Sequence, residues 1–286
     1  MASTRRHHLR ILATATLAGL FWAVHPLLAQ EEFDANRVCK DLPDHERLTE
    51  ILKEVVKDPL GNGGLGNDLW ATIVNRDGVV CMVTFSGEDR GSQWPGSRVI
   101  SAQKATTANA FSLPKGAGGA LPGLALSTAN LYASVQPGGS FFGLQFSLPV
   151  DPRVAYRGNP KNHGEPKDPM VGRRVGGIDV TGGGLGLYDS QGDLLGGLGV
   201  SGDTSCTDHV VAWKVRDALA LDHVPVGISP TGDDNIIFDM KTDPATGLAV
   251  SQGGFGHPHD CAGSEVRDIA RKLPQSHPIG ANPTNP

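Results

Sequence analysis

The sequence predicts an α+β protein built around an antiparallel sheet. Two pairs of β-rich runs are each separated by a short turn, which is the arrangement of antiparallel hairpins. Helical segments lie before, between and after these pairs, and single strands do not alternate regularly with helices. That order favours an antiparallel sheet over a doubly wound parallel one.

The first half of the chain supplies a hairpin and three helical segments. Apolar residues at helical spacing continue until Pro59 ends them, and a later Ala-rich stretch has one apolar side. Asp77-Gly78, between two β-rich runs, is a strong hairpin signal. The predicted elements are helices over 43–57, 98–111 and 124–135 and strands over 69–74 and 79–85.

The second half supplies another hairpin, a helix and a tail. Residues 136–172 combine glycine, proline and an aromatic cluster without a clear period, which predicts a long ordered loop. We expect a domain over 30–225 and a Gly/Pro-rich extension, 226–286, packed on it. The predicted elements are strands over 178–180, 184–188, 194–200 and 236–238 and a helix over 207–219.

Residues 1–29 have the order of a cleavable signal peptide. Three arginines precede the apolar stretch 11–24, and Ala29 is a small residue before a polar segment. The stretch is interrupted and shorter than the roughly 20 apolar residues of a spanning helix, so a permanent membrane anchor is disfavoured. Arg5-Arg6 comes close to the twin-arginine export pattern, and the general route stays open beside it. The mature protein is expected to be periplasmic or secreted.

The net charge restricts the class of partner, and the cysteines indicate possible disulfides. Residues 1–29 contain three bases and no acid, so their removal changes the formal charge from −5 to −8 and disfavours nucleic acid as a partner. An oxidising compartment permits two disulfides among the four cysteines. From their positions we favour Cys39–Cys81 and Cys206–Cys261, because the loop-rich tail needs fastening. A free pair or a metal site stays open as an alternative.

Three patterns fall short of a defined site. Residues 197–202 have the GxGxxG spacing, but their glycines begin inside a strand, which favours close packing over dinucleotide binding. Residues 206–209 and 257–261 hold Cys, His and Asp without the paired spacing of a zinc site, so no metal is assigned. No GxSxG occurs, and catalytic residues stay unknown.

Haem ligation is restricted by the sequence only in part. The absence of Cys-x-x-Cys-His excludes covalently attached c-type haem. Noncovalent haem can be held through histidine, tyrosine or methionine side chains. The candidates for the iron ligand are His163, His209, Tyr132 and Met170.

An ordered set of small motifs spans about residues 45–222. It includes the Asp77-Gly78 hairpin, an Ala-rich helix that contains Ser101-Ala102-Gln103-Lys104-Ala105, and Val200-Ser201-Gly202 followed by Asp208. In this order the motifs resemble the GlcG/HbpS family of haem-binding proteins, which includes PduO C-terminal-like domains. The chain departs from that family in segment 112–172, its leader, its cysteines and its tail. The positions that fit the family pattern are Lys104, Gly183, Gly184, Gly199, Ser201, Gly202 and Asp208.

The resemblance implies a profilin-like antiparallel sheet of about five strands with helices on both faces, in a homo-oligomer. It also implies noncovalent haem binding for storage, delivery or sensing. The alternatives are a periplasmic enzyme or accessory subunit that acts on haem or a small organic molecule through the same pocket, and a structural protein that keeps only the fold. Enzymatic activity therefore stays open. The expected cofactor-binding residues are Lys104, Tyr132, His163, Ser201 and His209.

Overall fold

A computed structural model describes residues 35–259, 261 and 264–280 of the chain. The signal peptide predicted over 1–29 lies outside these residues. None of the helices in the described part combines the length and the apolar composition needed to span a membrane.

The main sheet has four antiparallel strands in the order β2-β1-β4-β3. They are β1 (Trp70–Asn75), β2 (Val80–Phe85), β3 (Gly184–Tyr188) and β4 (Leu194–Ser201). The pairs β1–β2 and β3–β4 are the two hairpins, and β4 also pairs with β1 so that Trp70 lies opposite Ser201. A separate antiparallel pair consists of β5 (Met240–Thr242) and β6 (Ala249–Ser251).

Helices of very different length connect these strands. Side-chain caps explain where two long helices begin: the Asp44 carboxylate accepts the Arg47 N–H, and the Thr204 hydroxyl accepts the Thr207 N–H. In the described residues the α-helices are α1 (Ala35–Val38), α2 (His45–Val56), α3 (Pro59–Asn62), α4 (Ser97–Phe111), α5 (Leu144–Ser147), α6 (Pro152–Ala155), α7 (Ser205–Ala218) and α8 (Ser264–Ser276). Short 3₁₀ turns cover Thr128–Leu131, Ala133–Val135 and Pro160–Asn162.

The predicted α+β class is confirmed, with four strands in the main sheet where the resemblance implied about five. Both hairpins are present. Helices α2, α4 and α7 match the helices predicted over 43–57, 98–111 and 207–219, with ends that differ by at most two residues.

Three predicted elements are wrong. Residues 124–135 form 3₁₀ turns instead of a helix, because polar side chains bind neighbouring segments: the Asn130 amide donates to the Asn235 carbonyl oxygen at 3.0 Å. Residues 178–180 and 236–238 are not strands. The N–H groups of Asp179 and Ile236 are donated to side chains rather than to a neighbouring strand. The sequence analysis also missed α8.

The two faces of the sheet bury different side chains. Side chains alternate along β1, so Ile73 packs with α2 and α7 whereas Trp70 and Val74 pack with α4. The α2/α7 face continues into the tail, where α8 adds Val266, Ala270 and Leu273 to the same core. Residues beyond 225 therefore share the core of the sheet, and the division at residue 225 stays a prediction.

Glycines line the face of β3 and β4 that meets α4. A Cβ atom added to Gly199 would lie 1.9 Å from the Ser101 carbonyl oxygen, and one on Gly197 would lie 2.2 Å from the Ala105 carbonyl oxygen. On β3, a Cβ atom at Gly184 would lie 2.6 Å from the Lys104 carbonyl oxygen. The helix backbone thus rests directly on the strands, which is the close packing that the glycine pattern favoured.

Two disulfides join the pairs of cysteines that the sequence analysis favoured. Cys39 pairs with Cys81 and Cys206 with Cys261, with Cα–Cα distances of 5.8 and 5.7 Å that are ordinary for disulfides. The first ties the segment before α2 to β2, and the second ties the first turn of α7 to the segment before α8. The tail is therefore fastened covalently as well as by packing.

The glycine face of β4 generates the first prediction. Gly199→Ala should lower the free energy of unfolding by about 3 kcal/mol, because the added Cβ meets the α4 backbone, which cannot move aside as a side chain can. Gly119→Ala is the control, since nothing lies within 4 Å of its Cβ position. Guanidinium denaturation measures both variants, and equal midpoints would contradict the packing argument.

Candidate functional site

A buried ion pair lies among the residues that fit the family pattern. The Lys104 ammonium on α4 is 2.7 Å from Asp208 Oδ2 on α7, and the two side chains are 1% and 3% exposed. Lys104 also donates to the Val200 carbonyl oxygen at 3.2 Å and to the Ser201 hydroxyl at 3.5 Å. Asp208 Oδ1 accepts the Asp203 N–H at 2.9 Å. The pair thus links the helices on opposite faces of the sheet.

The charge state of this pair follows from its burial. Burial raises the pKa of Asp208 to about 6, while Lys104 and the Asp203 N–H limit the rise by favouring the ionised form. Asp208 is therefore ionised at neutral pH and is balanced by Lys104. The pair is enclosed by protein atoms and serves the fold.

Gly183 allows the two helices to meet at this point. Its φ of 113° is in the region that favours glycine, and an added Cβ would lie 2.3 Å from the Val200 carbonyl oxygen. The same Cβ would lie 3.0 Å from Asp208 Cβ and 3.3 Å from Lys104 Nζ. Any side chain here would push the ion pair apart.

His209 is a buried core histidine beside Trp213. Its Nε2 is 3.1 Å from Asn235 Oδ1 and 3.2 Å from the Ile236 nitrogen, and its Nδ1 has no hydrogen-bond partner among the described residues. The Ile236 N–H also donates to Asn235 Oδ1 at 2.8 Å, so it does not need Nε2 as its acceptor. If Nε2–H donates to Asn235, only a lone pair is left unpaired at Nδ1, which costs less than a buried unpaired N–H. Burial lowers the pKa of His209 to about 4, so the ring is neutral at pH 7.

Tyr132 packs against His257, with 5.1 Å between the ring centroids. The Nε2 atom of His257 is 2.7 Å from the Ser205 hydroxyl, and Nδ1 is 2.8 Å from the Pro258 carbonyl oxygen. A carbonyl can only accept, so Nδ1 carries the proton and the Ser205 hydroxyl donates to Nε2. Burial lowers the pKa of His257 to about 4, which leaves this ring neutral as well.

His163 lies in the long segment between α4 and β3, at a cavity of about 470 Å³. Its Nε2 is buried and has no hydrogen-bond partner in the part of the chain that the structure describes. Burial, followed by the nearby Arg98 guanidinium, lowers the pKa of His163 below its usual value of 6.5. Besides His163 and Arg98, the cavity is lined by Trp70, Asp89, Arg90, Gly91, Pro95 and Pro160.

The Arg98 side chain at this cavity is already committed. Its Nε donates to Asp168 Oδ2 at 2.8 Å, a second guanidinium nitrogen binds the other carboxylate oxygen, and Nη1 donates to the Ala155 carbonyl oxygen at 2.8 Å. Both side chains of the ion pair are buried. Arg98 therefore forms part of the cavity wall. Arg90 is the exposed basic side chain at the cavity.

The structure divides the expected cofactor-binding residues into two places. Lys104 and Ser201 lie together. His209 is near them, because a Cβ atom added to the adjoining Gly182 would contact both His209 Cβ and the Ser205 carbonyl oxygen. Tyr132 is connected to this group through His257 and Ser205. His163 belongs to the separate cavity beside Trp70. Their role in cofactor binding stays a prediction.

Ser205 and Arg90 are residues that the sequence analysis missed. No local signal marks Ser205, because its partner His257 lies 52 residues further along the chain. Arg90 stands in a short Gly/Ser-rich segment whose position beside His163 follows only from the tertiary fold.

Three side chains have the spacing of a metal site. Cys206, His257 and Cys261 offer ligand atoms within 4.8 Å of one another, and all three are buried. The two cysteines form a disulfide, whereas metals bind the thiolate form. In this oxidised state the cluster does not offer the ligands of a zinc site.

Comparison with known proteins finds related folds. No family model and no curated protein matches the chain. The structure is similar to Klebsiella pneumoniae ORFY, described as DUF336, with 20% identity and a TM-score of 0.38, over 60% of this chain and 88% of that chain. A PduOC–haem complex has 21% identity and a TM-score of 0.39, over 60% and 89%. HbpS has 16% identity and a TM-score of 0.36, over 60% and 86%.

HbpS and a PduO domain, both named by the resemblance that the sequence motifs indicated, are among the similar structures. At TM-scores below 0.5, these similarities carry no conclusion about function. The function has to be argued from the residues of this chain.

The buried ion pair can be tested from one side at a time. Lys104→Met should lower the free energy of unfolding by about 4 kcal/mol, because it leaves the buried Asp208 carboxyl without its cation, at the cost of an unpaired charge or of protonation. The double variant Lys104→Met/Asp208→Asn should recover part of this loss. Lys57→Met is the control, since the Lys57–Glu54 pair is exposed and should change stability by less than about 1 kcal/mol. Additive losses in the double variant would contradict the coupling.

The buried state of His209 predicts a pH effect on stability. The unfolded imidazole binds a proton near pH 6.5, whereas the folded one binds it near pH 4, so acid favours unfolding across this window. Between pH 7 and pH 5, wild type should lose about 2 kcal/mol more stability than His209→Gln. Urea denaturation at the two pH values measures the difference. An equal pH dependence of the two proteins would show that His209 is not buried in its neutral form.

Proposed function

We propose that this chain is an exported protein that binds haem noncovalently, with His163 as the iron ligand. The observation that carries the proposal is the buried, unpaired Nε2 of His163 at a cavity of about 470 Å³. A neutral histidine is a common protein ligand of haem iron. Bound haem would supply a metal centre, and the protein residues would hold and orient it.

The other candidates for the iron ligand are committed elsewhere. Met170 is fully buried in the apolar core that contains Trp70. The Nε2 atom of His209 is bonded to Asn235, and Tyr132 packs on His257. His163 is therefore the candidate that combines a cavity with an unpaired nitrogen atom.

The cavity lining suits an amphipathic macrocycle. Pro95 and Pro160 provide apolar surface beside the buried Trp70, and a volume of about 470 Å³ is within the usual range of ligand pockets. Arg90 is exposed at the same cavity and can pair with a propionate carboxylate. Asp89 opposes that charge, but its Oδ1 accepts the Gly91 N–H at 2.6 Å.

The proposed pocket lies at a different place from the one expected from the sequence. Lys104 and Ser201 fit the family pattern, but packed protein atoms fill the space around them. We therefore assign these two residues a role in the fold. We instead propose the cavity beside β1 as the haem pocket. The resemblance to the GlcG/HbpS family implies the ligand class and assembly as a homo-oligomer.

Export is supported by two independent features of the chain. Residues 1–29 have the charge and apolar order of a signal peptide. All four cysteines are paired in disulfides, which are typical of oxidising compartments. A periplasmic or secreted protein that binds haem would store, deliver or sense it.

A haemin titration tests the proposed ligand. The purified mature protein should give a saturable Soret shift at about one haem per chain, and His163→Ala should abolish it because the iron loses its nitrogen ligand. His259→Ala is the matched control, since this exposed histidine lies outside the cavity lining. A His163→Ala protein that binds haemin like wild type would refute this assignment. A wild-type spectrum like that of an unrelated acidic protein would refute haem binding itself.

A further inference from the structure

Ser205 and His257 have the geometry of a nucleophile and its general base. The Ser205 hydroxyl is 2.7 Å from His257 Nε2, and the proton on Nδ1 is fixed by the Pro258 carbonyl oxygen. The Gly182 N–H donates to Ser205 Oγ at 2.7 Å. An orienting acceptor, an unprotonated base nitrogen and a hydroxyl in line with it are the parts of an activated serine.

Two features of the surroundings stabilise negative charge on the Ser205 oxygen. The Gly182 N–H and the positive end of α7, where Ser205 is the first residue, stabilise negative charge on Oγ. Burial lowers the pKa of His257 to about 4, so the base is unprotonated at pH 7. The Nε2 lone pair is thus available to the Ser205 hydroxyl at pH 7, but the low pKa makes this ring a weaker base than an exposed histidine.

A disulfide holds the two segments of the pair together. Cys206 directly follows Ser205, and its disulfide partner Cys261 lies four residues after His257, so the disulfide ties the two segments together. Ser205 and Tyr132 are partly exposed, although His257 itself is buried. Ser205 is thus the more exposed residue of the pair.

We propose that Ser205 and His257 form a second site that hydrolyses small carboxylic esters with an apolar acyl group. The Tyr132 and Phe238 rings pack on His257, with centroid distances of 5.1 and 6.5 Å, and give the site its apolar wall. This site does not depend on the haem cavity, because the two share no lining residue.

The proposed reaction has two steps, formation of an acyl-enzyme and its hydrolysis. Ser205 Oγ forms a bond to the acyl carbon while its proton passes to His257 Nε2, and the alcohol leaves with that proton. Water then attacks the acyl-enzyme, giving its proton to Nε2. Cleavage of the acyl–Oγ bond releases the carboxylic acid and returns the proton to Ser205.

A fluorophosphonate probe and p-nitrophenyl acetate test the second site. With its disulfides intact, wild type should carry the probe on the peptide that contains Ser205. Ser205→Ala should lower both labelling and ester hydrolysis about a hundredfold. Ser147→Ala is the control, because its exposed hydroxyl binds only the Leu144 carbonyl oxygen and should leave both signals unchanged.

A second variant separates the base from the nucleophile. His257→Gln keeps Ser205 and should also lower hydrolysis about a hundredfold at an unchanged thermal midpoint. If the thermal midpoint of His257→Gln falls, the test of the proposal is the probe labelling of the Ser205→Ala protein alone. Unlabelled wild type, or equal hydrolysis by wild type and Ser205→Ala, would overturn the proposal. The haemin titration of Ser205→Ala should match wild type, so the two proposed sites can fail separately.

Discussion

The contact of α4 with the glycine face of β3 and β4 is the constraint on which the rest of the structure depends. With no side chain at positions such as Gly197 and Gly199, the helix backbone lies against the strand backbone. This approach carries Lys104 close enough to the strand end to pass Gly183 and reach Asp208 on the opposite face. A larger residue on these strands would lift the helix and separate the ion pair. The close packing and the charge pairing therefore require each other.

Buried ion pairs extend this logic to the segments that have little regular structure. Arg98 on α4 holds Asp168 of the long segment before β3, and Arg216 on α7 holds Asp234 of the tail through two contacts of 2.7 Å. Such pairs add little net stability, because desolvation offsets the attraction. Their effect is selective: a buried guanidinium accepts only an arrangement that supplies a carboxylate. Two helices thereby help to fix the course of these segments, which also contribute apolar side chains to the core.

Local signals predicted the scaffold well and the site poorly. The Asp77-Gly78 turn and the periodic helices are decided by neighbours in sequence, so they could be identified directly. Residues 124–135 have helical spacing, but the Asn130 side chain is drawn to the Asn235 carbonyl oxygen, which no local pattern reveals. His163 was recognisable as a candidate ligand, whereas its cavity with Arg90 arises only from the tertiary fold. Pairings over long separations were therefore the part that sequence reasoning could not reach.

Three histidines show how one physical effect leads to different chemical capacities. Burial lowers the pKa of His163, His209 and His257 alike and keeps each ring neutral at pH 7. Their protonation states therefore do not distinguish the three histidines. They differ in the hydrogen-bond partner of Nε2. At His209 the partner is the Asn235 amide oxygen, which leaves a core histidine. At His257 it is the Ser205 hydroxyl, which is why we propose this ring as a base, and at His163 the nitrogen has no partner among the described residues, which is why we propose it as the iron ligand. In this fold the hydrogen-bond partner, more than the pKa, separates the core histidine from the two histidines with a proposed function.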